Sequence, residues 1–286
     1  IGSHTAVDLV EAGHKVVLFD NLSNSYRDVV VRIERIINQR ITFVEGDTRD
    51  TLLLSNTIKE KKVDAVIHFA GFKAVGESVK RPLEYFDNNV GGTISLLEAM
   101  QENQVKMLVF SSSATVYGEP QYLPIDENHP TSTTNPYGRT KLHIEGMLQD
   151  VVSSDNAFGV VCLRYFNPFG ANESGLIGER PDGTPNNLMP FVSQVAAGKR
   201  AKVNVFGDDY PTVDGTGVRD YIHVLDLASG HLAAINFLAG TKGWHAINLG
   251  TGYGSSVLDM IGQFAAASDR SIPYEVVGPR PGDVAS

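Results

Sequence analysis

The chain has one cysteine, Cys162, in 286 residues, so no disulfide can form within it. Cys162 lies in the apolar run Val160-Val161-Cys162-Leu163, which predicts a buried, inert thiol. Tryptophan is as scarce: Trp244 stands alone and reads as a packing residue. No apolar stretch approaches the ~18 residues that a membrane-spanning helix needs, and no secretory signal pattern opens the sequence. Basic residues are in deficit, with 24 Lys and Arg against 33 Asp and Glu and a formal net charge of −9. A polyanion needs a basic face, which argues against nucleic acid as the main partner. Small anionic ligands need only a local cluster and remain open. The eight histidines are scattered without metal-site spacing, so no metal is expected. Repeats, low-complexity tracts and an initiator Met are absent as well. A cytoplasmic protein without a membrane or nucleic-acid partner is the expectation.

What is present is core-forming material. Apolar residues make up 42% of the chain and charged residues 20%, enough to bury a sizeable interior. Residues 5–12 read as a helix stopped by Gly13, followed by an apolar strand ending at Asp20. The same rhythm recurs, with strand patterns at 41–47, 63–71, 106–111 and 158–167. Helical stretches lie around 27–38, 51–61, 83–103 and 137–152. This alternation predicts an α/β fold, a doubly wound parallel sheet of Rossmann type, which binds ligands at the carboxyl ends of its strands. A chain that opens on a helix implies a strand before it, and 283–286 contain no closing element. The chain therefore reads as a piece of a longer protein with the first strand missing. After about residue 168 the rhythm breaks into Gly, Pro and Asn, with one short helix at 188–197. The expected division is a dinucleotide domain over 1–167 and a smaller C-terminal substrate-binding lobe over 168–286, with elements free to interleave. A surface loop without function is the other reading of 168–190.

Three motifs carry chemistry. Gly2 opens a helix and Asp20 closes the next strand, as the last glycine and the ribose-binding acid of an NAD fingerprint do. A turn glycine and a strand-end acid would look the same. Tyr137-Gly138-Arg139-Thr140-Lys141 places a phenol and an ammonium four apart on one helical face. At ~6 Å and an effective dielectric of ~20, the ammonium supplies roughly 2.8 kcal/mol, about two pKa units. That falls short of bringing a phenol with pKa ~10 to neutrality, and an oxidised nicotinamide would add the second positive charge. A lone YxxxK also arises by chance. Ser111-Ser112-Ser113 ends a strand about two dozen residues earlier, where a hydroxyl can meet a substrate oxygen beside the tyrosine.

Together these segments are specific. Ile1–Thr5, Phe19–Asn24, Phe43–Asp47, His68–Ser78, Ser111–Gly118, Asn135–Lys141, Leu163–Asn167, Pro185–Pro190 and Gly215–Asp226 occur in family order along almost the whole chain. In them the sequence resembles the extended short-chain dehydrogenase/reductase superfamily and, within it, the UDP-glucose 4-epimerase family. The resemblance implies an isomerase that interconverts UDP-galactose and UDP-glucose through NAD-dependent oxidation at sugar C4, in galactose metabolism. It implies Tyr137 as acid/base, Lys141 as its modulator and ribose ligand, and Ser113 as the bridge to substrate. The cofactor would be held by Gly2, Asp20, Asn21, Asn24, Ser25, Asp47, Thr48, Phe69, Ala70, Gly71, Lys73, Asn88, Ser111 and Phe166. The UDP-sugar would be held by Asn167, Asn187, Leu188, Phe206, Arg219, Arg280 and Asp283. A homodimer built on the helices around 83–103 and 137–152 is implied too. Alternatives are an epimerase of another nucleotide sugar, a net 4-keto reductase, or an inactive nucleotide-sugar-binding fragment. Ala114-Thr115 stands where the superfamily's dehydratases carry Asp-Glu, so elimination is not expected.

Overall fold

A computed structural model describes residues 1–181, 185, 187–280 and 284–286. In chain order the elements begin with α1 (Gly2–Glu11), β1 (Val17–Asp20), α2 (Asp28–Ile37), β2 (Thr42–Glu45), α3 (Thr51–Lys61) and β3 (Val66–His68). Next come α4 (Val75–Lys80), α5 (Pro82–Tyr85), a π-helical turn (Phe86–Gly91), α6 (Gly92–Glu102), β4 (Met107–Ser113), α7 (Pro136–Ser154) and β5 (Gly159–Tyr165). The chain continues through β6 (Asn167–Phe169), α8 (Leu188–Ala196), β7 (Val203–Phe206), β8 (Val218–His223), α9 (Val224–Gly240) and β9 (Gly243–Leu249). It closes with β10 (Gly254–Ser256), α10 (Val257–Ser268) and β11 (Tyr274–Val277).

The chain forms two compact units. The first holds Ile1–Tyr165, Asn172–Ile177 and Val224–Leu249; the second holds Phe166–Ala171, Gly178–His223 and Gly250–Ser286. In the first unit β1 and β2 pair in parallel, and β3, β4, β5 and β9 form a second parallel sheet in that order. Every residue of β5 is buried, as a parallel strand covered on both faces should be. Leu96, Leu97 and Met100 of α6, Ile144 and Leu148 of α7, and Leu108, Phe110, Val160 and Cys162 of the strands make one core. Capping explains where the helices start. Asp50 accepts the Leu53 amide at α3, and Asn135 accepts the Gly138 amide at α7, with Pro136 in the first turn.

Two stretches differ from the sequence reading. The single helix expected over 83–103 is α5, the π-helical turn and α6, with α4 preceding them. The break falls where Asn88-Asn89 and Gly91-Gly92 weaken helix propensity and the Asn89 side chain is drawn off to Phe72. The alternation also resumes after residue 168: α9 and β9 return to the first unit, with β9 adding to the far edge of β5. The mostly apolar α9 lacks a polar stripe to betray its period.

In the second unit β8 pairs in parallel with β6 and antiparallel with β10, and β7 pairs in parallel with β11. Val192 and Val195 of α8, Val203 and Val205 of β7, Ile261 of α10 and Ile272 form its core. Among the described residues no helix is long and apolar enough to cross a membrane.

Candidate active site

The site in the first unit is built where β4 ends against the start of α7. Ser113 is the last residue of β4 and caps the 3-10 turn Ala114–Val116, accepting the Thr115 amide at 3.2 Å. Tyr137 is the second residue of α7. Gly138 lets that helix come close: a Cβ there would stand 2.9 Å from the Thr115 carbonyl oxygen, which no real side chain tolerates. The Ser113 hydroxyl acts on the Tyr137 phenol in the sense that favours its ionised form. Lys141 lies one helical turn on, its Nζ 5.9 Å from the Tyr137 ring centre and 4.8 Å from that of Phe110. Its ammonium donates to the Ser111 carbonyl at 2.7 Å. The serine, phenol and lysine named from sequence are thus brought together.

Burial dominates the electrostatics. It raises the Tyr137 pKa above that of a free phenol, against the lowering effect of Ser113. It pulls Lys141 down to about 8, with Cys162 and Glu145 opposing. Lys141 is 4% exposed and carries three N–H donors, yet the protein supplies one hydrogen-bond acceptor among the described residues. A buried ammonium with spare donors beside a phenol fits a hydroxyl-bearing nucleotide cofactor such as NAD.

The other first-unit residues that the resemblance assigns to the cofactor gather near strand ends. The Asp20 carboxylate accepts the Leu22 amide at 2.7 Å and the Ser25 hydroxyl at 2.8 Å, holding the loop after β1. Asn21 donates to Asp47 at 2.9 Å. Asn24 is in the same loop, and Thr48 sits so close to α6 that a Cβ on Gly92 would meet its hydroxyl at 2.5 Å. A Cβ on Gly2 would meet the Phe69 ring at 3.4 Å, and one on Gly71 would meet Asn89 at 3.2 Å. Ala70 and Lys73 share that loop, and Asn88 donates to Asn89 at 3.0 Å.

In the second unit Asn167 donates to the Asp220 carbonyl at 3.2 Å, with Phe166 just before it. Asn187 donates to Glu179 at 2.9 Å, and Leu188 opens α8. The Arg280 guanidinium stacks over the Phe206 ring at 4.6 Å. Burial raises the Tyr221 pKa, while Arg219 and Arg280 both act to lower it. Asp283 lies outside the described residues.

Several contributing side chains carry no sequence signal. Ser78, fully buried, accepts the Tyr137 amide at 3.2 Å and donates to the Val75 carbonyl, anchoring the start of α7. Asn89 pairs with both backbone groups of Phe72 and donates to Thr140, tying the loop after β3 to α7. The Tyr165 hydroxyl meets His231 Nε2 at 2.5 Å, while Nδ1 meets the Leu227 carbonyl at 2.8 Å. Glu145, two turns beyond Tyr137, accepts a buried fork from Arg164 and the Ser112 hydroxyl. Each is an ordinary polar residue that only the fold sets beside the site.

Parallel sheet, strand-end serine and helix-borne tyrosine–lysine pair define a nucleotide-dependent α/β enzyme. The sequence profile of the NAD dependent epimerase/dehydratase family matches residues 1–250, and the chain belongs to that family. It is 54% identical to the UDP-glucose 4-epimerase of Dictyostelium discoideum over all of this chain and 83% of that protein. It is 53% identical to that of Bacillus subtilis over all of this chain and 84% of that protein. Among solved structures, the Stenotrophomonas maltophila UDP-glucose 4-epimerase with bound NAD and formylated UDP-arabinopyranose superposes with TM-score 0.97 at 51% identity. The match covers 99% of this chain and 84% of that one. The Bifidobacterium longum enzyme in complex with NAD+ and UDP gives TM-score 0.95 at 50% identity, with the same coverage.

Proposed function

We propose that this chain is a UDP-glucose 4-epimerase that interconverts UDP-galactose and UDP-glucose, with Tyr137 as its acid/base. The carrying observation is the grouping of Ser113, Tyr137 and Lys141 at the end of β4. Similarity to UDP-glucose 4-epimerases over the whole chain supports the substrate class. The chemistry that bound NAD would supply is reversible hydride acceptance at sugar C4. Tyr137 removes the proton of the 4-hydroxyl, and Ser113 holds that oxygen by a hydrogen bond. Lys141 favours the phenolate by its charge and offers its spare N–H donors to ribose hydroxyls. The 4-keto sugar turns in the site, and Tyr137 gives the proton back to the oxygen formed when the other face is reduced. In this reading Gly2, Asp20, Asn21, Asn24, Ser25, Asp47, Thr48, Phe69, Ala70, Gly71, Lys73, Asn88, Ser111, Tyr137, Lys141 and Phe166 serve the cofactor. Asn167, Asn187, Leu188, Phe206, Arg219, Arg280 and Asp283 serve the UDP-sugar. Arg219 and Arg280 suit a diphosphate, since guanidinium groups match its oxygens.

A homodimer and residence in the cytoplasm complete the proposal. Exposed Val75 and Val79 on α4, Leu83 on α5 and Ile94 on α6 supply apolar surface for helix packing between copies. The test is conversion of UDP-galactose with NAD but no added reductant. UDP-glucose should accumulate to an equilibrium ratio reached from either sugar. A stoichiometric demand for NADH would replace epimerisation by net reduction.

A further inference from the structure

Asp47 ends its strand region with a carboxylate whose surroundings are unusually complete. Oδ1 accepts the Arg49 amide and Arg49 Nε, each at 2.9 Å. Oδ2 accepts Arg49 Nη2 and the Asn21 amide, each at 2.9 Å. A carboxylate offers about four lone-pair positions, so all are in use. Three of the four come from one residue, and Arg49 is itself held from the other side: its Nη1 donates to Asp87 at 2.6 Å. Asp87 is the second residue of the π-helical turn that carries Asn88.

This geometry is a clamp. Both guanidinium edges are engaged, one by Asp47 and one by Asp87, which fixes the plane of the Asp47 carboxylate. The cation also keeps Asp47 ionised, well below the usual carboxylate range. The Asn21 contact is different in kind. It comes from a single amide on the loop after β1 and is independent of the clamp. An exocyclic amine of a ligand can replace it at Oδ2 without disturbing Arg49.

We propose that Arg49, braced by Asp87, is a positioning residue that orients the Asp47 carboxylate to select adenine over 6-oxo purines, with Asn21 as the donor displaced. The inference rests on the resemblance's implication that Asp47 meets the adenine edge of the cofactor. Adenine presents a 6-amino donor to a carboxylate, whereas hypoxanthine presents a carbonyl that a carboxylate repels. A charge-assisted hydrogen bond of this kind distinguishes the two by about ten- to hundredfold.

The experiment is titration calorimetry of nucleotide-free protein with NAD and with nicotinamide hypoxanthine dinucleotide. Binding is read directly, so turnover is not needed. The unaltered protein should prefer NAD by at least tenfold. In Arg49→Met the preference should fall to within about threefold, and Arg49→Lys, which keeps the charge but not the fork, should not restore it. Asp87→Asn should give an intermediate preference with Asp47 and Arg49 both intact. Thermal melts alone do not report this role, because loss of structure weakens both ligands alike and leaves their ratio unchanged. A full or increased preference in Arg49→Met would overturn the clamp. Equal affinities in the unaltered protein would instead overturn the assignment of Asp47, and the clamp with it.

Discussion

Replacing Lys141 by Met removes a buried positive charge while preserving length and most of the packing against Phe110. The ammonium lies 5.9 Å from the centre of the Tyr137 ring. At an effective dielectric of ~20 the interaction with a phenolate is about 2.8 kcal/mol, or roughly two pKa units. The phenol of the variant should therefore titrate about two units higher. At pH 7 the phenolate fraction, and with it the rate of proton removal, should drop up to about a hundredfold. Lys141 itself loses its proton near pH 8, because burial favours the neutral amine. The deficit should consequently shrink as pH rises above about 8, where the native lysine no longer carries charge. The assay pairs an ultraviolet phenolate titration with kcat for UDP-galactose from pH 6 to 10, at checked NAD occupancy. A phenol shift below half a unit, or a native-to-variant ratio independent of pH, would refute the electrostatic role of Lys141.

Other expectations follow from the same geometry. Tyr137→Phe should lower turnover roughly 10²–10⁴-fold while NAD stays bound, and near-native turnover would remove the phenol from the chemistry. Arg219→Ala should weaken UDP and UDP-sugar binding alike by about 1.5–3 kcal/mol, measured by calorimetry. Unchanged UDP affinity would mean that Arg219 does not face the diphosphate. Burial depresses His68 to about 3 and His231 to about 4, so both are neutral in the native state. Their stabilising contribution is complete above about pH 6.5 and is lost as pH falls toward 4 and then 3. His231→Gln should flatten that acid limb in denaturant titrations, and an unchanged slope would exclude it. Glu145→Leu leaves the Arg164 charge buried without its partner and should cost about 3–5 kcal/mol. Glu145→Leu combined with Arg164→Met should recover most of that loss in urea unfolding; no recovery would show that the pair is not the cause.

Much of this protein was legible in its residues because the chemistry is local. Tyr137 and Lys141 share a helical face by spacing alone, Ser113 ends an apolar strand, and Asp20 closes another. Parallel strands buried on both faces appear as continuous apolar runs, so β4 and β5 stood out. The parts that escaped depend on distance along the chain. β9 joins β5 across the 77 residues between Tyr165 and Gly243, through pairing that no local period announces. The π-helical turn follows from Asn89 reaching Phe72, a competition between a side chain and the helix ladder. Sequence also placed Asp47 at a strand end but had nothing to say of Arg49 and Asp87, which meet across 38 residues. A sequence specifies which groups can donate, accept or ionise. Which of them are desolvated beside one another is decided by the fold, because burial and proximity set both the pKa of Lys141 and the partners of Asp47.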